Sequence, residues 1–173
     1  MAHTHFFKAF LFFVCLAAAA AFAAEIDVNG GFAGTGKPDG WNQNKPNMWD
    51  PEGKLTMTKV EDIGKTSVKL TSKTRKMHLY QKTAIPVQKG DAIEIRGLVK
   101  GQGKGVFGAY MYPMGWASTK GFNATDEWTE FVAKVDITTE KVKEVRVLVG
   151  VEPQGDVEFM NITVDKKEAA EKK

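Results

Sequence analysis

The chain has 173 residues, of which 43% are hydrophobic and 26% are charged, and its formal net charge is +3. This nearly balanced charge excludes the strongly basic surface with which proteins bind nucleic acid through its phosphates. Cys15 is the only cysteine, which excludes a disulfide within the chain and a cysteine-based metal site.

The first residues have the composition of a secretory signal peptide. Lys8 stands in a short polar start, and the apolar run from Ala9 to Ala23 ends in Ala21-Phe22-Ala23, which is the small-residue pattern of a cleavage site. The run is too short for a stable membrane span. We therefore predict a signal peptide over 1–23 and an exported protein, periplasmic or secreted. The alternative is an uncleaved anchor. Export without disulfides is typical of a bacterial periplasmic or secreted protein.

Beyond the leader, short alternating segments are separated by turn residues, and helical patterns are weak. Val145, Val147, Val149 and Val151 form the clearest period-2 face. A Gly/Pro/Asn-rich loop covers 34–51, and a glycine-rich turn covers 101–105. The predicted strands cover 26–32, 55–60, 66–71, 77–87, 92–100, 106–112, 128–137, 145–151 and 157–164.

About nine such strands predict an all-β domain of two packed antiparallel sheets over 24–164. No internal repeat or second domain is visible in the sequence. The last segment, 165–173, is rich in lysine and glutamate. Mixed charge with few apolar residues predicts a flexible tail there.

Candidate catalytic residues are few. His78 is the only histidine after the leader, and no Gly-x-Ser-x-Gly motif occurs, so neither a histidine-based triad nor a usual zinc site is supported. Two close acid pairs, Asp50/Glu52 and Asp126/Glu127, could supply the carboxylates of a glycosidase, although acids in turns are usually solvated. The 101–105 turn lacks the spacing and the following helix of a P-loop. We expect no enzyme and no cofactor.

Aromatic and planar polar residues indicate a different function, because sugar rings stack on aromatic rings while their hydroxyls bond to planar polar groups. Alternation places Tyr110 and Tyr112 on one strand face, with Gly108 leaving space beside them. Trp49 and Trp116 lie in predicted loops, where exposed aromatics are often functional. We expect a groove formed by Tyr110, Tyr112, Gln81, Arg96, Arg75 and His78, with Trp116 or Trp49 at its rim.

Two aromatics favour structural roles instead. Trp41 follows a Pro-Asp-Gly turn and is expected to close one end of the domain, and Trp128 is expected in the core. A simpler explanation also holds for the strand tyrosines, since aromatic residues are favoured in strands whatever their function.

Four motifs occur in the order typical of one family of binding modules: an opening glycine and Pro-x-Gly-Trp segment, a glutamine strand followed by a second strand, a tryptophan that begins a late strand, and a final strand. They are Asn29-Gly30-Gly31-Phe32 with Pro38-Asp39-Gly40-Trp41, Leu79-Tyr80-Gln81 followed by Gly90 to Gly101, Glu127-Trp128-Thr129, and Gly155-Asp156-Val157-Glu158-Phe159. Together they resemble the carbohydrate-binding modules of the cellulose- and xylan-binding jelly-roll type, within the galactose-binding-like β-sandwiches.

The resemblance implies a jelly-roll β-sandwich that binds a polysaccharide or oligosaccharide without cleaving it, in a groove on its concave sheet. By position, Gln81 matches the family's groove glutamine. The family often holds a structural calcium through an acidic pair in the last strand. This chain has Met160-Asn161 there, which puts calcium in doubt.

The resemblance leaves the partners open. A glycan is the expected ligand, and a separate glycan-degrading enzyme or an envelope protein is a second possible partner. The alternative function is a structural or protein-interaction module of the cell envelope with the same fold. An independent glycoside hydrolase or lyase is the third hypothesis.

Overall fold

The computed structural model describes residues 26, 28, 30–43, 49–61 and 65–169. The leader predicted over 1–23 lies outside the described residues. The described part folds into eleven β-strands: β1 Trp41–Gln43, β2 Lys54–Val60, β3 Lys65–Thr71, β4 Met77–Gln81, β5 Ile85–Pro86, β6 Ala92–Gln102, β7 Lys104–Tyr112, β8 Trp116–Asn123, β9 Thr129–Asp136, β10 Glu144–Val151 and β11 Asp156–Lys167.

The strands form two antiparallel sheets. The first has the order β1-β4-β10-β7-β8, with β5 also paired to β10, and the second has the order β2-β3-β11-β6-β9. The consecutive strands β6 and β7 are joined by a short connection but belong to different sheets. The predicted fold class, two packed antiparallel sheets, is confirmed.

The core lies between the inward faces of the two sheets. The four valines of β10 predicted to share a face are all fully buried. Phe107 of β7 lies at the centre, with ring centroids 5.6 Å from Phe122, 5.4 Å from Phe131 and 5.9 Å from Phe159. These rings come from both sheets, so the aromatic cluster holds the sandwich together.

The beginning of the domain packs onto this core as expected for Trp41. Trp41 is buried, and its ring lies 5.2 Å from that of Phe32. The predicted strand over 26–32 is not formed in its described residues; Gly30 and Gly31 form a turn instead. Two backbone hydrogen bonds, Ile26 N to Val164 O and Ile162 N to Gly30 O, each 3.0 Å, fasten this segment to β11.

Four other segments differ from the sequence prediction, and the first is the predicted loop over 34–51, which contains the short strand β1. The segment 77–87 is two strands, β4 and β5, separated by 82–84. An additional strand, β8, follows the turn after β7. The last strand continues through Lys167, because residues predicted as tail pair with β6, and the backbone N–H of Ala169 donates to buried Asp91 at 3.0 Å. The described residues contain no helix of the length and apolarity needed to cross a membrane.

Candidate functional site

The outward face of the first sheet gathers three tyrosines. On β4, Met77 and Leu79 point into the core, so the residues between and after them, His78 and Tyr80, point outward. Tyr110 of β7 is in register with Arg146 of β10. We call this surface the tyrosine face; its residues are Asn42, His78, Tyr80, Gly108, Tyr110, Tyr112, Thr119, Glu144, Arg146, Leu148 and Gly150.

Tyr80 and Tyr110 form an aromatic platform at the centre of this face. Their ring centroids lie 6.4 Å apart, and their planes differ by 26°. Leu148, in register with Tyr80, is only 3% exposed although it points outward. A sugar ring sandwiched between two aromatic rings would need about 7–8 Å, two contacts of about 3.5–4.0 Å each. A ligand can therefore stack on the platform but cannot enter between its rings.

Two glycines bring neighbouring groups close to the backbone beside the platform. A Cβ on Gly108 would lie 2.2 Å from the carbonyl oxygen of Ser118 on β8. A Cβ on Gly150 would lie 2.2 Å from Cδ2 of His78, so the imidazole lies over this glycine. Burial, together with the charge of Lys76, lowers the pKa of His78 below its ordinary value of 6.5. The imidazole is accordingly neutral at neutral pH.

An arginine and a glutamate supply the hydrogen-bonding groups next to the rings. Arg146 lies opposite Tyr110, and Glu144 lies opposite Tyr112. The Nη2 atom of Arg146 is 3.5 Å from Oε1 of Glu144, and its buried Nε has no hydrogen-bond partner among the described residues. The Arg146 side chain is 34% exposed, so a bound acceptor could approach its guanidinium from the solvent side.

Three of the predicted site residues lie on the tyrosine face: Tyr110, Tyr112 and His78. Tyr112 is at the end of β7 and is 53% exposed, whereas Tyr110 and His78 are half-buried. The structure therefore brings together the two tyrosines selected from strand alternation, and their role in binding stays a prediction.

Gln81 and Arg96 lie elsewhere, contrary to the expected groove. Gln81 has the same orientation as Met77 and Leu79 and is 2% exposed, in register with Trp41. Arg96 lies on β6, which pairs with β11 and β9 in the second sheet. It is therefore not beside Tyr110, because β7 pairs with β10 and β8 in the first sheet. Arg96 forms ion pairs with Glu94 and, at 3.9 Å, with Asp165.

The remaining three predicted residues lie in separate parts of the domain and do not share a face. Trp116 is in register with Met111, a core residue, so it points to the inner side of the edge strand β8, where it is 46% exposed. Trp49 packs partly buried against the core. Arg75 lies in the β3–β4 connection, and its backbone N–H donates to Asp50 at 3.1 Å.

The acid pair Asp50/Glu52 has a structural explanation. Buried Asp50 accepts backbone N–H bonds from Glu52, Lys73, Thr74 and Arg75 at 2.5–3.1 Å. Burial opposes the charged carboxylate, but these donors outweigh it and hold the pKa of Asp50 well below its ordinary range. Glu52 forms an exposed ion pair with Lys73 at 3.0 Å.

The sequence reasoning missed Tyr80, Arg146 and Glu144 as members of the site. The signal for Tyr80 was its two-residue spacing from His78 on β4. The signal for Arg146 and Glu144 was their alternation with the buried valines of β10. A strand with a regular inward period also has a regular outward one, and on β10 that outward period holds Glu144 and Arg146.

The last strand does not fit the calcium site that the resemblance implies. Met160 is buried, and Asn161, with φ 55°, lies in the irregular stretch of β11 between Met160 and Thr163. Neither offers the carboxylate that calcium prefers. In the described part of the chain, no three His, Cys, Asp or Glu residues are grouped so that they could hold a metal ion.

Solved structures identify the architecture. No protein-family model matches the chain, and no curated protein matches it. A xylan-binding domain, CBM22-1, from Paenibacillus barcinonensis has a TM-score of 0.57 and 18% identity; the match covers 88% of this chain and all of that domain. The chain shares the jelly-roll β-sandwich fold of that domain.

Two further solved structures are similar to this chain. A family 29 carbohydrate-binding module complexed with mannohexaose has a TM-score of 0.54 and 12% identity, and the match covers 85% of this chain and 94% of that module. The enzymatically active domain of tailspike protein 4 from bacteriophage CBA120 has a TM-score of 0.52 and 12% identity. That match covers 75% of this chain but only 20% of the phage chain.

Proposed function

We propose that the protein binds a polysaccharide or oligosaccharide on the tyrosine face and does not cleave it. The observation that carries this proposal is the Tyr80–Tyr110 platform, with the partly exposed guanidinium of Arg146 beside it. Aromatic rings with a few convergent polar groups are the usual composition of a small-molecule site. The module fold shared with a xylan-binding domain and with a mannohexaose complex supports the same conclusion.

Binding would combine stacking with hydrogen bonding. The apolar face of one sugar ring would lie on Tyr80 and Tyr110, and the next ring would lie toward exposed Tyr112. Hydroxyls of these rings would accept from the guanidinium of Arg146 and donate to the carboxylate of Glu144. Because His78 is neutral, it would act as a polar wall and not as a charge.

Catalysis is not part of the proposal, because the acids considered for it have other environments. Asp50 is buried and accepts four backbone N–H bonds, so it is unable to reach a ligand. Asp126 and Glu127 are exposed in the connection before β9, which belongs to the other sheet. We propose an exported binding protein that serves a separate glycan-degrading enzyme.

The test is affinity electrophoresis and calorimetry with xylohexaose, mannohexaose and cellulohexaose. Replacing Tyr80 or Tyr110 by alanine should weaken binding about three- to tenfold, the value of one aromatic contact. Tyr110→Phe is the matched control, since it keeps the ring and should retain most of the affinity. No binding to any of these or to a wider glycan array would contradict the proposal.

One observation favours the alternative, a protein-interaction module of the envelope. The hairpin tip between β7 and β8 exposes Tyr112, Met114 and Trp116, at 53%, 38% and 46%. Exposed apolar patches often mark protein–protein contacts. This function would be favoured if the protein binds no glycan but can be cross-linked to a protein partner. That partner should be lost in Met114→Ser and Trp116→Ser.

A further inference from the structure

The outward face of the second sheet carries a cavity of its own. We call this surface the charged face; its ion pairs include Lys69–Asp156, Lys100–Glu158, Arg96–Glu94 and Lys167–Glu94. The cavity has a volume of about 320 Å³ and lies at one end of this face, lined by Lys69, Lys100, Gly101, Gln102, Asp126, Asp156 and Glu158. Ligand sites begin at about 300 Å³, so the volume suits a ligand of one ring.

The backbone around this cavity is held in place. The N–H of Gly101 donates to Thr125 at 2.7 Å, and the N–H of Ala124 donates to Gly103 at 2.9 Å. A Cβ on Gly101, whose φ is +130°, would lie 2.0 Å from the carbonyl oxygen of Asp156. The β6–β7 turn therefore packs directly on β11, and the walls are formed before any ligand arrives, which lowers the entropic cost of binding.

The cations of the cavity are already neutralised. The ammonium of Lys69 lies 3.0 Å from Asp156, and that of Lys100 lies 3.4 Å from Glu158 and 4.7 Å from the ring centroid of Trp128. Ser67 also donates a short hydrogen bond to Glu158. The side chains of both lysines are thus directed by their partners.

One carboxylate of the cavity lining, that of Asp126, is left after the two lysine–carboxylate pairs. The lining holds three acids and two lysines, and Asp126 is exposed and forms no ion pair with another described residue. The local charge is therefore −1 when all five groups are ionised. Such a site favours a ligand with one positive charge and suppresses a negatively charged one.

We propose that this cavity is a second binding site, for a sugar ring that carries a protonated amine. The amine would pair with Asp126, while the ring hydroxyls would bond to Gln102, Asp156 and Glu158. Because the charged face and the tyrosine face belong to opposite sheets, the two sites do not overlap. The protein could hold an amine-bearing glycan and a second chain at the same time.

The experiment is an NMR titration of the isotope-labelled protein at about pH 6, where such an amine is protonated. The probes are glucosamine, glucose and glucuronate, which share one ring and differ in charge. Glucosamine should shift the backbone amides of Gln102, Asp126 and Asp156 and bind most tightly, and glucuronate should bind most weakly. Asp126→Asn should weaken glucosamine binding about fivefold, the upper value of an exposed ion pair.

Two controls separate this site from the tyrosine face and from simple cation binding. Tyr110→Ala should leave the glucosamine shifts unchanged. The test can therefore succeed even if the tyrosine face binds no glycan. Ethylamine, which has the charge without the ring, should bind more weakly than glucosamine. Equal binding of ethylamine, equal binding of glucuronate, or no shift at the three amides would overturn the proposal.

Discussion

The two outward faces of this sandwich arise from the same strand alternation but expose different chemistry. The tyrosine face presents stacked rings over a buried leucine, with one arginine–glutamate pair at 3.5 Å. The charged face presents lysine–carboxylate pairs in rows across β3, β11 and β6. Rigid rings lose little entropy when a ligand binds, whereas long charged side chains lose more. This difference fits the proposed roles of the two faces, stacking of a glycan on the tyrosine face and selection by charge on the charged face.

The largest expected effect removes the support common to both faces. Phe107→Ala empties the centre of a four-ring cluster shared by the two sheets, and we expect a loss of about 3–5 kcal/mol in the free energy of unfolding. Urea denaturation followed by tryptophan fluorescence measures it. A loss below about 1 kcal/mol would show that the core tolerates a cavity here and that the faces do not depend on these rings.

A second change acts on the tyrosine face alone. In Gly108→Ala the new methyl group would meet the backbone carbonyl of Ser118 at 2.2 Å, so β7 and β8 must move apart. Overpacking of this kind costs about 1–3 kcal/mol. Gly121→Ala on β8 is the matched control, because its nearest atom is 3.8 Å away, and its stability should change by less than about 1 kcal/mol. Equal melting temperatures for the two variants would refute the steric explanation.

How far the sequence predicts these faces depends on what alternation can specify. The valines of β10 revealed both the sandwich and its core, because a period of two defines a buried side. Alternation does not specify which sheet a strand joins, so it cannot separate Arg96 of the second sheet from Tyr110 of the first. Alternation with Met77 and Leu79 predicts an inward Gln81, whereas the family resemblance predicts Gln81 in the groove; the structure has it buried. Strand β8, with the sequence WASTKGFN, has no apolar period because it lies at a sheet edge.

A third prediction concerns the connection that links the two sheets. Asp50 holds the backbone between β3 and β4, strands of different sheets. Its pKa is lower in the folded protein than the ordinary value of 3.8, so its stabilising contribution is complete above that value and is lost as the pH falls toward the folded-state pKa. Between about pH 5 and about pH 2.5, the wild type should lose more stability than Asp50→Asn, which lacks this carboxylate.

The measurement is urea denaturation at several pH values in that window. Asp50→Asn should also be less stable than the wild type at neutral pH, since an amide presents one acceptor oxygen to several N–H donors. Glu52→Gln is the control, because Glu52 is exposed and its ion pair among the described residues is with exposed Lys73. Parallel pH profiles for the wild type and Asp50→Asn would show that another group carries the acid sensitivity.

The smallest expected effect tests whether the ion pairs of the charged face stabilise the fold at all. Lys69 and Asp156 are paired at 3.0 Å, but both side chains are 42% exposed, and exposed pairs contribute about 0–1 kcal/mol. Lys69→Met, which keeps most of the aliphatic length, should change the free energy of unfolding by less than about 1 kcal/mol. The change should shrink further at high salt, where exposed charges are screened. A larger loss that salt does not reduce would mean that this lysine stabilises the fold through packing. The small loss would mean that the lysine–carboxylate pairs of the charged face can take part in binding without being needed for stability.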